Sequence, residues 1–153
     1  MLDAIRWDTD LIRRYDLAGP RYTSYPTAVQ FNSQVGAFDL LHALRDSRKA
    51  QRPLSLYVHI PFCANICYYC ACNKVITKDR SRALPYLQRL EQEMQLIACH
   101  LAPNQRVEQL HFGGGTPTFL NHDELRQLIA LLRKHFNLLD DDSGDYGLSL
   151  IHI

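Results

Sequence analysis

Cys63, Cys67 and Cys70, spaced C-x3-C-x2-C in the stretch Cys63-Ala64-Asn65-Ile66-Cys67-Tyr68-Tyr69-Cys70, constrain this chain more than any other feature. Thiolates this close together can converge on one centre, because soft sulfur ligands suit iron–sulfur clusters or zinc. Zinc usually draws on paired C-x2-C knuckles with a distant second pair, which is absent here. Spacing alone leaves a cluster, a zinc site and a disulfide knot open. Four of the five cysteines lie between positions 63 and 72. In a reducing cytosol, such crowding indicates metal or redox chemistry rather than structural disulfides.

The residues around the cysteines set the scaffold. Leu54, Leu56, Val58 and Ile60 alternate with Ser55, Tyr57 and His59, so the two sets point to opposite faces of a strand that Pro61 ends. Leu84, Leu87, Leu90, Met94, Ile97 and Leu101 then recur at helical spacing. Val107 to Phe112 reads as the next strand and runs into Gly113-Gly114-Gly115-Thr116-Pro117; Asn121 and Glu124 form a capping box ahead of Leu125, Leu128, Ile129 and Leu132. Strands alternating with helices predict parallel βα units, whose ligands bind beyond the C-terminal ends of the strands. The cysteine loop and the glycine turn both sit at such ends. Earlier in the chain, helices are expected over Asp8 to Tyr15 and Phe38 to Lys49, separated by an extended Gly19-Pro20-Arg21-Tyr22-Thr23-Ser24-Tyr25-Pro26-Thr27.

Composition narrows the partners. The 153 residues are 46% apolar, enough for a real core, and carry a formal charge of +1, with no acidic or basic excess to mark a nucleic acid or a membrane surface. A small-molecule partner is expected, and no nucleic acid or membrane. The first eight residues lack the apolar centre of a signal peptide, and no run approaches the roughly 18 apolar residues of a membrane span, so a cytosolic location is expected. After the polar loop Asp140 to Asp145, Tyr146 to Ile153 predicts a third strand. A parallel sheet stopping there would leave an open edge, which predicts a fragment of a longer protein.

Leu56-Tyr57-Val58-His59-Ile60-Pro61-Phe62-Cys63, the three-cysteine loop and the turn from His111 to Thr118 closely resemble the oxygen-independent coproporphyrinogen III oxidases, radical SAM dehydrogenases of haem biosynthesis. The resemblance runs from about residue 7 to residue 147 and includes the 19–28 segment and Cys70-Ala71-Cys72-Asn73-Lys74. Ala71 stands where the family usually has glycine. The resemblance implies an α/β fold: the first βα units of a (β/α)6 partial TIM-like barrel at 53–147, after an N-terminal arm at 1–52. It implies a [4Fe-4S] cluster on Cys63, Cys67 and Cys70, with an open iron that binds S-adenosylmethionine (SAM), and two SAM molecules in the full-length enzyme. Tyr57, Tyr69 and Gly114 would face SAM, and Gly115 and Thr116 the second molecule. His59 and Cys72 would be catalytic rather than ligands. Cys99 and the other histidines, among them His42, His100, His122 and His135, read as structural or surface residues.

The implied reaction is oxidative decarboxylation of two propionates of coproporphyrinogen III to vinyl groups, giving protoporphyrinogen IX. It needs an electron donor and acceptor that the sequence does not identify, and the full-length protein would be monomeric. A related haem chaperone shares the cluster loop, but it generally begins near the first strand and lacks the Cys-x-Cys-Asn ending. In the family a carboxylate on the third strand meets SAM. Here Ser149 stands near its place, and Leu148-Ser149-Leu150-Ile151-His152-Ile153 matches one reading frame of a sequencing adaptor, so 148–153 is expected to be non-native.

Overall fold

The computed structural model describes residues 7–16 and 28–149. The expected 19–27 stretch with Arg21 and Tyr22, and the end of the tail at 150–153, lie outside the described residues. The chain divides into two compact units, Met1–Gly36 and Ala37–Ile153. In the first, α1 (Thr9–Tyr15) begins at Asp8, whose carboxylate accepts from the backbone N–H groups of Asp10 and Leu11.

The second unit opens with α2 (Ala37–Ala50) and β1 (Leu54–Ile60). A pair of two-residue strands follows, β2 (Phe62–Cys63) and β3 (Val75–Ile76), then α3 (Ala83–Ala98), β4 (Arg106–Gly114), α4 (His122–His135), β5 (Asn137–Leu138) and β6 (Asp145–Leu148). β4 is the centre of the main sheet. It pairs in parallel with β1 on one side, and on the other with β5 near its start and β6 further along. All described pairings are parallel, as the strand–helix alternation predicts. The expected third strand is present as β6, and beyond it the Ser149 N–H donates to the Phe112 carbonyl at 2.9 Å.

Alternation in β1 decides which face is buried. Val58 and Ile60 are 5% and 0% exposed, whereas Tyr57 on the opposite face is 60% exposed. Leu110 and Phe112 of β4 join the buried face, and Leu87 and Met94 from α3 with Leu128, Leu131 and Leu132 from α4 close over it. Full burial of each such side chain contributes roughly 1.5–3 kcal/mol. The register slips between Leu54↔Val107 and Ser55↔Gln109, so Glu108 is an extra residue in β4 and the alternation changes phase there. The α4 capping box forms as predicted: Asn121 accepts from Asp123 and Glu124 N–H, and Glu124 accepts from Asn121 N–H. No described helix is long and apolar enough to cross a membrane.

Gln105, 3% exposed, fastens the C-terminal end of α2 to the start of β4. Its Nε2 reaches Ser47 O (3.3 Å), Ser47 Oγ (3.2 Å) and Arg52 O (3.0 Å), and its Oε1 accepts from Ala102 N–H at 2.7 Å. His135 departs from the surface position expected of it. Its side chain is only 12% exposed, 3.6 Å from the Glu91 carboxylate, with its Nε2 buried and without a hydrogen-bond partner. As the last residue of α4 it looks like an exposed helix-end cation in sequence, but the packing of α4 against α3 encloses it.

Candidate metal centre

The cysteine loop leaves β1 at Pro61 and is closed at its base by the β2–β3 pair. Val75 N–H donates to Pro61 O and Thr77 N–H to Cys63 O, both at 2.8 Å. Inside the loop, Cys70 N–H donates to Cys67 O at 3.1 Å. A cavity of about 220 Å³ opens at the C-terminal ends of β1 and β4, lined by Cys63, Cys67, Cys70 and Cys72 together with Asn65, Tyr69, Ala71, Gly114 and Gly115. The structure thus brings together the three expected ligands, Cys72, Tyr69 and the glycine turn. A larger cavity of about 610 Å³, bordered by Leu54, Leu101 and His135, contains no thiol and lies at the other end of the strands, away from where parallel βα units bind ligands.

Glycine is required at this approach. Gly114 has φ +108°, in the region that side chains strain to reach, and a Cβ there would fall 2.8 Å from both His59 Cε1 and the Ile60 carbonyl oxygen. At Gly115 a Cβ would lie 2.7 Å from Cys63 Sγ. The turn is tied to the cysteine segment by Gly115 N–H to Ile60 O and Thr116 N–H to Phe62 O, both 2.8 Å. The Thr116 hydroxyl donates to Cys63 Sγ at 3.5 Å. This weak sulfur contact is available only because the missing Cβ lets the two chains close.

None of the five cysteines forms a disulfide: Cys63 is buried, Cys67 and Cys70 are half-buried, and Cys72 and Cys99 are exposed. Cys99 stands apart at the C-terminal end of α3, its thiol on Leu96 O at 3.1 Å. Among the described residues, no group of three His, Cys, Asp or Glu side chains has closed to metal-holding geometry. The four thiols Cys63, Cys67, Cys70 and Cys72 share the lining of one cavity. The donor set fits a thiolate-bound cluster even so, since three soft sulfurs from one clasped loop face a space walled by backbone and apolar atoms. Although Cys72 is exposed, partial desolvation by its surroundings raises its pKa, helped by the nearby Cys70, whereas Lys74 opposes the rise.

Tyr57 and His59 stand beside this cavity on the open face of the sheet. Tyr57 Oη is 3.3 Å from His59 Nδ1, and His59 Nε2 is 2.8 Å from the Asn73 carbonyl oxygen. A carbonyl only accepts, so Nε2 carries a proton, and in the neutral form of the ring Nδ1 accepts from the Tyr57 hydroxyl. Partial desolvation raises the pKa of the partly covered Tyr57 hydroxyl, and the Cys72 charge adds to the shift. His111 reads in the sequence only as the start of the glycine-turn motif, and a role for it escaped notice there. It is the register partner of Tyr57 and stacks on it, with centroids 6.0 Å apart and planes 11° from parallel. The signal was its position two residues before Gly113, on the same side of β4. Arg80 escaped as well; its guanidinium lies 4.6 Å over the Phe119 ring and donates to the Phe119 carbonyl.

Comparison with known proteins identifies the family. The radical SAM superfamily profile matches residues 57–150. The chain is 73% identical over 150 residues to the oxygen-independent coproporphyrinogen III oxidase of Pseudomonas aeruginosa, covering 98% of this chain and 33% of that protein. It is 48% identical over 140 residues to the protein of the same name from Mannheimia haemolytica, covering 92% of this chain and 94% of that sequence. The solved structure of coproporphyrinogen III oxidase (HemN) from Escherichia coli, described as a radical SAM enzyme, superposes with a TM-score of 0.74 at 44% identity, covering 94% of this chain and 30% of that one. The chain therefore spans about a third of the length of the Pseudomonas relative.

Proposed function

The chain belongs to the radical SAM superfamily, within its oxygen-independent coproporphyrinogen III oxidase family, and on that premise we propose that it forms the cluster- and SAM-binding start of such an enzyme. The observation that carries this reading is the shared cavity, where Cys63, Cys67, Cys70 and the Gly114–Gly115 turn meet at the C-terminal ends of two parallel strands. Cys63, Cys67 and Cys70 would hold a [4Fe-4S] cluster. When bound, the cluster and SAM would supply one-electron reduction and a carbon-centred radical that abstracts hydrogen.

The chain's own residues bind, orient and shield. The loop presents its thiols from a clasped base, and the Thr116 hydroxyl steadies the Cys63 sulfur. Gly114 and Gly115 allow backbone groups to approach a bound SAM, with Tyr57 and Tyr69 offering aromatic surface and a hydroxyl beside it. Thr116 and Gly115 would also border a second SAM. Cys72 would lie on the substrate side of the cavity. Coproporphyrinogen III is the proposed substrate, with an electron donor and acceptor of unassigned identity, in a cytoplasmic, monomeric enzyme.

Anaerobic reconstitution with iron and sulfide tests the metal centre. The chain should turn brown and bind about four irons on its cysteines. Replacing Cys63, Cys67 or Cys70 by Ala should abolish the colour, and Cys72→Ala should keep it. A colourless zinc-bound protein, or a cluster that needs Cys72 and tolerates loss of one of the three, would overturn the assignment. Activity is tested by grafting this segment in place of the matching part of the Escherichia coli enzyme. The chimera should convert coproporphyrinogen III under anaerobic conditions with SAM and a reductant, and haem binding without decarboxylation would count against the reading.

A further inference from the structure

The imidazole of His59 touches two separate parts of the site. Its Nε2 is 2.8 Å from the carbonyl oxygen of Asn73, three residues beyond the last proposed ligand. Its Nδ1 is 3.3 Å from the hydroxyl of Tyr57, a longer and weaker contact. The residue is also fixed from behind, because the Tyr86 hydroxyl on α3 donates to the His59 backbone carbonyl. The ring packs over Gly114, where a Cβ would come within 2.8 Å of His59 Cε1. In the stretch that the ring reaches, Ala71, Cys72 and Asn73 are exposed; besides the ring, the Cys72 thiol shares a hydrogen bond with Cys70, and the Lys74 ammonium, on a flexible chain, bonds Cys72 O at 3.3 Å.

We propose that His59 is a positioning residue that straps the Cys70–Asn73 stretch to the end of β1 through its Nε2–H, and so sets where the Cys72 thiol stands at the cavity mouth. In the neutral ring this tautomer makes Tyr57 a donor toward Nδ1. The phenol oxygen then offers lone pairs on its exposed side, which selects an N–H or O–H donor in a ligand over a bare carboxylate. This last consequence rests on the reading of the cavity as a cofactor site; the strap itself does not.

The test uses the cluster-free chain under reducing, anaerobic conditions. Imidazole 15N NMR of the unsubstituted protein should show His59 protonated at Nε2. Alkylation by N-ethylmaleimide, followed residue by residue by mass spectrometry, should become about fivefold faster at Cys72 in His59→Leu, the change expected from loss of one hydrogen bond. Buried Cys63 should react at an unchanged rate. His59→Gln, whose amide nitrogen can stand near the Nε2 position, should restore most of the protection. A ring protonated at Nδ1, or a His59→Leu variant with native circular dichroism and unchanged Cys72 reactivity, would overturn the proposal. Failure of the unsubstituted chain to assemble a cluster, with the Nε2–H tautomer and the protection intact, would sink the cofactor reading and leave the strap standing.

Discussion

A Cβ added at Gly115 would lie 2.7 Å from the Cys63 sulfur and 2.8 and 2.9 Å from the carbonyl oxygens of Phe62 and Pro61. Carbonyls of a clasped backbone cannot swing aside as a long side chain can. Gly115→Ala should therefore destabilise the fold by about 1–3 kcal/mol and reduce iron uptake. Gly36→Ala, with nothing within 4 Å of the new atom, serves as the control. Urea unfolding of the two variants checks this, and equal midpoints would contradict it.

The Thr116 hydroxyl donates to Cys63 Sγ at 3.5 Å. Hydrogen bonds to ligand sulfurs withdraw negative charge and favour the reduced state of a cluster. Thr116→Val keeps the shape and removes the donor, so the reconstituted chain should be harder to reduce. Thr116→Ser should remain near the unsubstituted value. A spectroscopic redox titration of the three proteins reads the difference, and identical potentials would show that the contact does not persist around a cluster.

Gln105 makes its side-chain hydrogen bonds while 3% exposed. Truncation to Ala would remove the partner of the Arg52 carbonyl and of the Ala102 N–H, both in part-buried hydrogen bonds. The expected cost is about 1–3 kcal/mol, read by urea unfolding. Hydrogen exchange should quicken at Ala102 and at the end of α2, with the α4 amides little affected apart from the global loss.

Glu91 on α3 holds Lys134 on α4 at 2.7 Å, and that hydrogen bond, with the ammonium's charge, lowers its pKa from 4.5. A carboxylate whose pKa is depressed in the folded state stabilises the fold above its unfolded value, and that contribution disappears as pH falls through the lowered one. Asp79 and Asp141, lowered from 3.8 by Ser81 and Ser143, act in the same direction. Unfolding midpoints should thus be level near neutrality and decline below about pH 4.5. Glu91→Gln should cost stability at neutral pH, lessen the acid decline and reduce its sensitivity to salt.

How much of this was legible in sequence depended on whether the cause was local. The strict alternation from Leu54 to Ile60 identified β1 and its buried face, and Asn121 with Glu124 marked the first turn of α4, because both signals are written within a few residues. The β2–β3 clasp gave no such sign: Phe62 and Val75 meet only through loop closure, and two-residue strands have no periodicity to read. The face of His111 follows from its alternation with Leu110 and Phe112, but that it stands opposite Tyr57 depends on the β1–β4 register, which no local signal fixes. His135 was misjudged because its burial comes from α3, a distant stretch of chain. The cysteine spacing pointed to a centre, but only the fold shows Gly115 and Thr116 pressed against Cys63.

The clasp between β2 and β3 bears on affinity as well as architecture. Ordering a floppy loop around an incoming group subtracts from the binding free energy, and the loss grows with the logarithm of the segment's length. Here the segment between Cys63 and Val75 is closed by hydrogen bonds at its base before anything arrives. The entropy of ring closure at the base of the loop is thus met in folding and not by the incoming group. Weakening the clasp, for instance with Val75→Pro, which deletes the N–H that Pro61 O accepts, should slow cluster assembly even though no ligand has changed.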